Sequence, residues 1–247
     1  MGYWRTLHLF DDKKFYSGIV PQLKGEVDGL ENSYLEFIRT HILGDISHLT
    51  KEEINKLIER HLKSLFSIAN TMDKDFKTHL VFDSISAYQS KIDFMNQLSG
   101  HYGFCNFLAY YIFETCADFF PHVPLGKGGI SRNFNINIKT LSYSVLSELD
   151  DYNDFLCGPD RMGVTNWISY EDVELLFLDK SNLHFDNNNN ELAISFLTLL
   201  DIAQKNKLGF IRGQDMREHI LEQLPKNKLI SNSDWTNLAK NGLLFER

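Results

Sequence analysis

Residues 102–120 read YGFCNFLAYYIFETCADFF, and the fold class turns on whether that stretch is one helix. Apolar side chains fall on nearly every side of a helical wheel drawn over it, and neither proline nor glycine interrupts it between Gly103 and Pro121. A helix that is apolar all round belongs in the middle of a core. The stretch is therefore predicted to be a central helix.

Outward from it, the pattern stays helical. Upstream, TKEEINKLIERHLKSLFSIANTM begins with Thr50 and Glu53 at capping-box spacing, and Ile54, Leu57, Ile58, His61, Leu62, Leu65, Ile68 and Ala69 recur at a 3.6-residue period. Another helix is predicted over about 74 to 98. Downstream, helices are predicted in IKTLSYSVLSELDDYNDFL, in SYEDVELLFLD with Ser169 and Asp172 as a capping pair, in NNELAISFLTLLDIAQKNKLG with Gly209 as its stop, in GQDMREHILEQLP and in SDWTNLAKNG. The Asn run before Glu191 reads as a capping loop. Only YWRTLHLFD, residues 3–11, reads as a strand, placed at an edge or alone. The expected fold is a mainly α, multi-helix globular bundle with one short N-terminal strand. It forms a single domain over 1–247, with helical layers 1–120 and 139–247 joined by a loop over 121–138.

That loop contains VPLGKGGISRNFN, residues 123–135, the stretch of the chain that most resembles a ligand-binding loop. A P-loop needs two glycines five apart, then Lys and Ser or Thr, between a strand and a helix. Lys127 lies instead between Gly126 and Gly128, and the position six after Gly126 that a dinucleotide fingerprint reserves for glycine is Ser131. Neither cradle is present. Two readings remain: a plain connector, or a contact loop in which Lys127 and Arg132 meet an anion.

Charge narrows the function. The chain has a formal net charge of -8, and residues 141–180 hold 9 acidic against 2 basic side chains. Lys and Arg are not clustered, which disfavours direct nucleic-acid binding. No apolar run is long enough to span a membrane, and the N-terminus lacks the sections of a secretory signal, so a cytoplasmic protein is expected. Three cysteines, Cys105, Cys116 and Cys157, are too few and too irregular for a disulfide framework and read as buried free thiols.

Catalytic constellations are weak. Glu114, Asp118 and His122 are spaced by four, but Pro121 is expected to end the helix before His122 joins them. His41, Asp45 and His48 flank a turn and read as surface residues. His61 falls within an apolar stripe and reads as a satisfied core histidine. Cys105, a turn from His101, is buried and inert in this reading. No nucleophile elbow, zinc motif or Gly-rich fingerprint occurs, and no metal or cofactor is expected.

In the acidic window, Glu148, Asp150, Asp151 and Asp154 gather near one helix end, beside the aromatic residues Tyr152, Trp167 and Tyr170. One reading is caps and a solvated face. The other is a surface where carboxylates steer a basic partner and aromatics anchor it. MGYWRTLHLFDDKKFY and WISYEDVELLFLD resemble small bacterial proteins of the polymorphic-toxin immunity type. That resemblance implies a cytoplasmic protein that binds and blocks a partner; the absence of catalytic motifs and the acidic window lead to the expectation of a non-enzymatic module whose partner is a basic toxin or nuclease. The alternatives are an enzyme or small-ligand protein with a cleft near 121–138, and a structural subunit of a homo-oligomer.

Overall fold

The computed structural model of the chain describes residues 5–41, 48–56, 58–59, 62, 104–126, 129–131, 141–151, 162–185, 190–226 and 228–240. At its centre is an antiparallel sheet of four strands in the order β2-β1-β4-β3. They are β1 (Arg5–Phe10), β2 (Ala117–Pro124), β3 (Gly163–Ile168) and β4 (Gly209–Gln214). The fold is mixed α/β, which corrects the expected mainly α bundle with one strand. β1 was foreseen, but it pairs on both sides, with β2 and with β4, and is neither alone nor at an edge.

The physical reason lies in how the sheet is covered. Every residue of β3 and β4 is buried, as are all of β1 beyond Arg5 and all of β2 before Pro124. Antiparallel strands usually announce themselves by alternation, with one face wet. Here both faces are dry, so the period of two is absent from the hydropathy pattern.

Residues paired across the ladder share a face, and the two faces feed two cores. On one side Phe10, Trp167 and Ile211 join Phe15, Ile19, Phe37, Phe107 and Phe113, so the Leu30–His41 and Phe104–Thr115 helices lie there. On the other, Leu7, Leu9, Ile168 and Phe210 join Leu146, Leu149, Val173, Leu176 and Phe196 from the Leu141–Asp150, Tyr170–Leu178 and Asn190–Asn206 helices. Burying each of these large side chains stabilises the fold by about 1.5–3 kcal/mol.

The stretch expected to be one helix changes state midway. Its helix stops at Thr115, Cys116 turns, and Ala117 starts β2. The register against β1 then slips: His8 pairs with His122 and Phe10 with Ala117, so Leu9 alone spans the four residues Asp118, Phe119, Phe120 and Pro121. Gly209 opens β4 and does not act as a helix stop. A Cβ there would sit 2.2 Å from the Ile168 carbonyl oxygen, so only glycine lets β4 approach β3 that closely. The turn before it falls to Lys207, at φ 57.

Two capping pairs hold as read. Thr50 and Glu53 exchange side-chain and backbone hydrogen bonds, and Ser169 with Asp172 closes a complete capping box. At the first helix, Asp11 is the cap, accepting from Lys14 N, and Asp12 is the first helical residue. His61 lies outside the described residues.

Candidate functional site

The glycine loop comes first, because its amides decide whether an anion can enter. Asp150 Oδ1 accepts from Ile130 N at 2.8 Å, and Oδ2 accepts from Ser131 N at 2.8 Å and from Ser131 Oγ at 2.5 Å. A Cβ on Gly129 would lie 2.2 Å from Asp150 Oδ2. Of the loop's described amides, those of Ile130 and Ser131 thus already hold a carboxylate of this chain. Lys127 and Arg132 lie outside the described residues.

Asp150 also ends the Leu141–Asp150 helix, where carbonyls lack helical partners. Arg212, fully buried on β4, donates through Nη1 to the main-chain oxygens of Leu149, Asp150 and Asp151 at 3.2, 2.6 and 3.3 Å. Asn166 Nδ2 donates to Glu148 O at 2.6 Å. A cation at a helix C-terminus complements its dipole, which gives this buried arginine its place.

The acidic window is thereby redistributed. Asp150 turns inward. Trp167 is 1% exposed and donates Nε1–H to Tyr16 Oη at 3.0 Å, so it lies in the core. Glu148 is half-buried and Asp151 exposed; Tyr152 and Asp154 lie outside the described residues. Tyr170 keeps a half-exposed ring beneath Lys13 Nζ, with its hydroxyl donating to Glu174.

What does face outward is the far side of the Tyr170–Leu178 helix. Val173 and Leu176 are buried, while Glu171, Glu174, Leu175 and Leu178 are exposed, Leu178 by 75%. These four stand at positions i, i+3, i+4 and i+7, one face of a helix. Ser142 Oγ donates to Asp179 Oδ2, joining the start of the Leu141–Asp150 helix to the end of this one, and Leu141 beside it is 62% exposed. The signal for this face was legible: VELLFL contains more apolar residues than one stripe can bury.

A second concavity lies between the Phe104–Thr115 helix and residues 216–221. It is shallow and open to solvent, and its lining includes Asn106, Tyr110, Met216, Arg217 and Ile220. At its rim, Tyr110 donates to Glu114, and burial with the neighbouring Glu114 pushes its phenol up to about 12. The His41 ring lies tilted against that of Tyr110, centroids 5.1 Å apart; burial, then His219, lower its pKa. His41 therefore consorts with Tyr110, and Asp45 lies outside the described residues.

Glu114, Asp118 and His122 do not converge. Glu114 accepts from Tyr110, Asp118 takes the backbone amides of Lys228 and Leu229 at 3.0 Å each, and His122 Nδ1 meets Phe119 O. Among the described residues, no three His, Cys, Asp or Glu side chains gather as a metal would require. No protein-family model matches this chain, and no curated protein or solved structure is similar to it. No described helix is long and apolar enough to cross a membrane.

Proposed function

We propose that this chain is a protein-binding module that docks a basic partner on the outer face of the Tyr170–Leu178 helix. The observation that supports this most is the pairing on one face of exposed Leu175 and Leu178 with exposed Glu171 and Glu174. Leu178 at 75% and Leu175 at 38% exposure leave apolar surface in water that a partner would bury. Leu141 extends the apolar end of the face, and the helix's acidic first turn supplies the charged end.

The two ends do different work. Carboxylates raise the rate of encounter with a cationic surface, and desolvated apolar anchors slow its departure. A second copy of this chain, also at net charge -8, is the less complementary occupant. A cationic toxin or nuclease suits the face better, and the immunity-type resemblance, which implies a protein that binds and blocks a partner, agrees with that reading.

A synthetic amphipathic helix with Leu on one side and Lys on the other is the probe. Leu178→Asp should raise its Kd about tenfold, the equivalent of about 1.4 kcal/mol. Glu171→Lys with Glu174→Lys should slow association and flatten its salt dependence. Equal affinity, rate and salt dependence for the native chain and both variants would refute the assignment.

A further inference from the structure

The register slip in β2 turns two histidines onto one carbonyl. His8, 0% exposed, approaches Phe119 O through Nδ1 at 2.8 Å, and His122, 5% exposed, approaches the same oxygen through Nδ1 at 3.2 Å. A carbonyl oxygen only accepts, so both rings carry their proton on Nδ1. The Nε2 of His8 then has a lone pair, and it takes the Thr6 hydroxyl at 2.8 Å. Both His8 ring nitrogens are satisfied with the imidazole neutral. The ring centroids of the pair are 5.2 Å apart, and Phe113 and Phe119 pack against His8 at 4.8 and 5.2 Å.

A proton added to either ring places a cation beside another basic ring in a dry, aromatic site. Around His8 the charged groups offer little compensation. From β1 there is Thr6, from β4 the apolar Ile211, and from the Phe104–Thr115 helix the ring of Phe113. From β2 there is Asp118, whose two oxygens already hold the amides of Lys228 and Leu229; from the segment behind it, Lys228 donates to the end of that helix and Lys226 lies 5.4 Å over the Phe120 ring. Two of these neighbours are themselves cations.

We propose that His8 and His122 form an acid-sensitive lock on β2, holding the 118–121 bulge while neutral and releasing it when either ring is protonated. Position in the sheet makes the release local. β2 is an edge strand, with β1 its only ladder partner among the described residues, whereas β1 keeps its full ladder to β4; of the β2 residues, Val123 alone reaches into the second core. The strand and bulge can detach without dismantling β1-β4-β3.

Hydrogen exchange on the intact chain between pH 7.5 and 5.5, corrected for intrinsic exchange, reads this directly. Protection of amides 117–124 should fall at least tenfold and at pH 5.5 should lie at least tenfold below that of 209–214 and 163–168, and His122→Phe should flatten the change. Protection retained throughout, or lost equally from all four strands, overturns the proposal. Should His122→Phe not fold, imidazole nitrogen NMR of the native chain decides: both rings staying neutral until the β2 amides open supports the lock, and either ring titrating as an ordinary histidine with β2 still protected overturns it.

Discussion

Asp150 and Arg212 meet twice: the main-chain oxygen of Asp150 takes a 2.6 Å hydrogen bond from Arg212 Nη1, and its carboxylate Oδ1 stands 4.0 Å from Arg212 Nε. The same carboxylate holds Ile130 and Ser131, so one residue ties a helix end, a sheet face and a loop together. Its charge is turned inward, toward structure.

Two adjacent aspartates should therefore behave differently. Asp150→Ala strands two backbone donors and removes the anion beside a buried guanidinium, and should cost about 2–4 kcal/mol. Asp151→Ala, exposed at the helix end, should stay within about 0.5 kcal/mol. Urea denaturation of both variants checks the contrast. Gly129→Ala should also destabilise, and by less in the Asp150→Ala background, because its Cβ collides with that carboxylate.

These inward charges explain what the sequence could and could not disclose. Caps such as Thr50 with Glu53 and Ser169 with Asp172 are legible because their partners lie three residues away. Arg212 and Asp150 are 62 residues apart, and a charged residue read alone defaults to the surface. Trp167 erred in the other direction, offered as a surface anchor but packed against Phe10 and Phe15. β2 was hidden because nothing breaks the apolar run at Cys116, and GFIRGQ, with two glycines, an arginine and a glutamine, has few of the residues that mark a strand. The exposed leucines of VELLFL were overlooked because apolar residues in a helix are first assigned to a core.

Acid should weaken the whole fold as well as the edge strand. Burial, then His122, holds the pKa of His8 well below 6.5, so the unfolded chain binds more protons once pH drops below 6.5. Stability is then lost as pH falls. Asp118 and Asp12 act oppositely: burial raises both above 3.8, so the folded chain is the better proton acceptor just above that value. The urea midpoint should decline from pH 7 toward 5, with the decline easing near 4. A midpoint that is flat across pH 7 to 5 would contradict the His8 contribution.

Cys116 should be a silent thiol. It is buried, donates Sγ–H to Ile112 O at 3.4 Å, and burial pushes its pKa upward, all of which suppress the nucleophilic thiolate. In a Cys105→Ala, Cys157→Ala background, an aromatic disulfide reagent at pH 8 should label Cys116 only as fast as the chain unfolds. Rapid labelling under native conditions would show that the site opens independently.

A residue-resolved titration locates the docking face. Backbone amide NMR of the native chain is followed as the Lys/Leu helical peptide is added. We predict shifts concentrated at Glu171, Glu174, Leu175 and Leu178, reaching Leu141, with the Leu30–His41 helix unmoved. Shifts centred on the cleft of Asn106, Tyr110 and Arg217, or spread evenly over the surface, would contradict it.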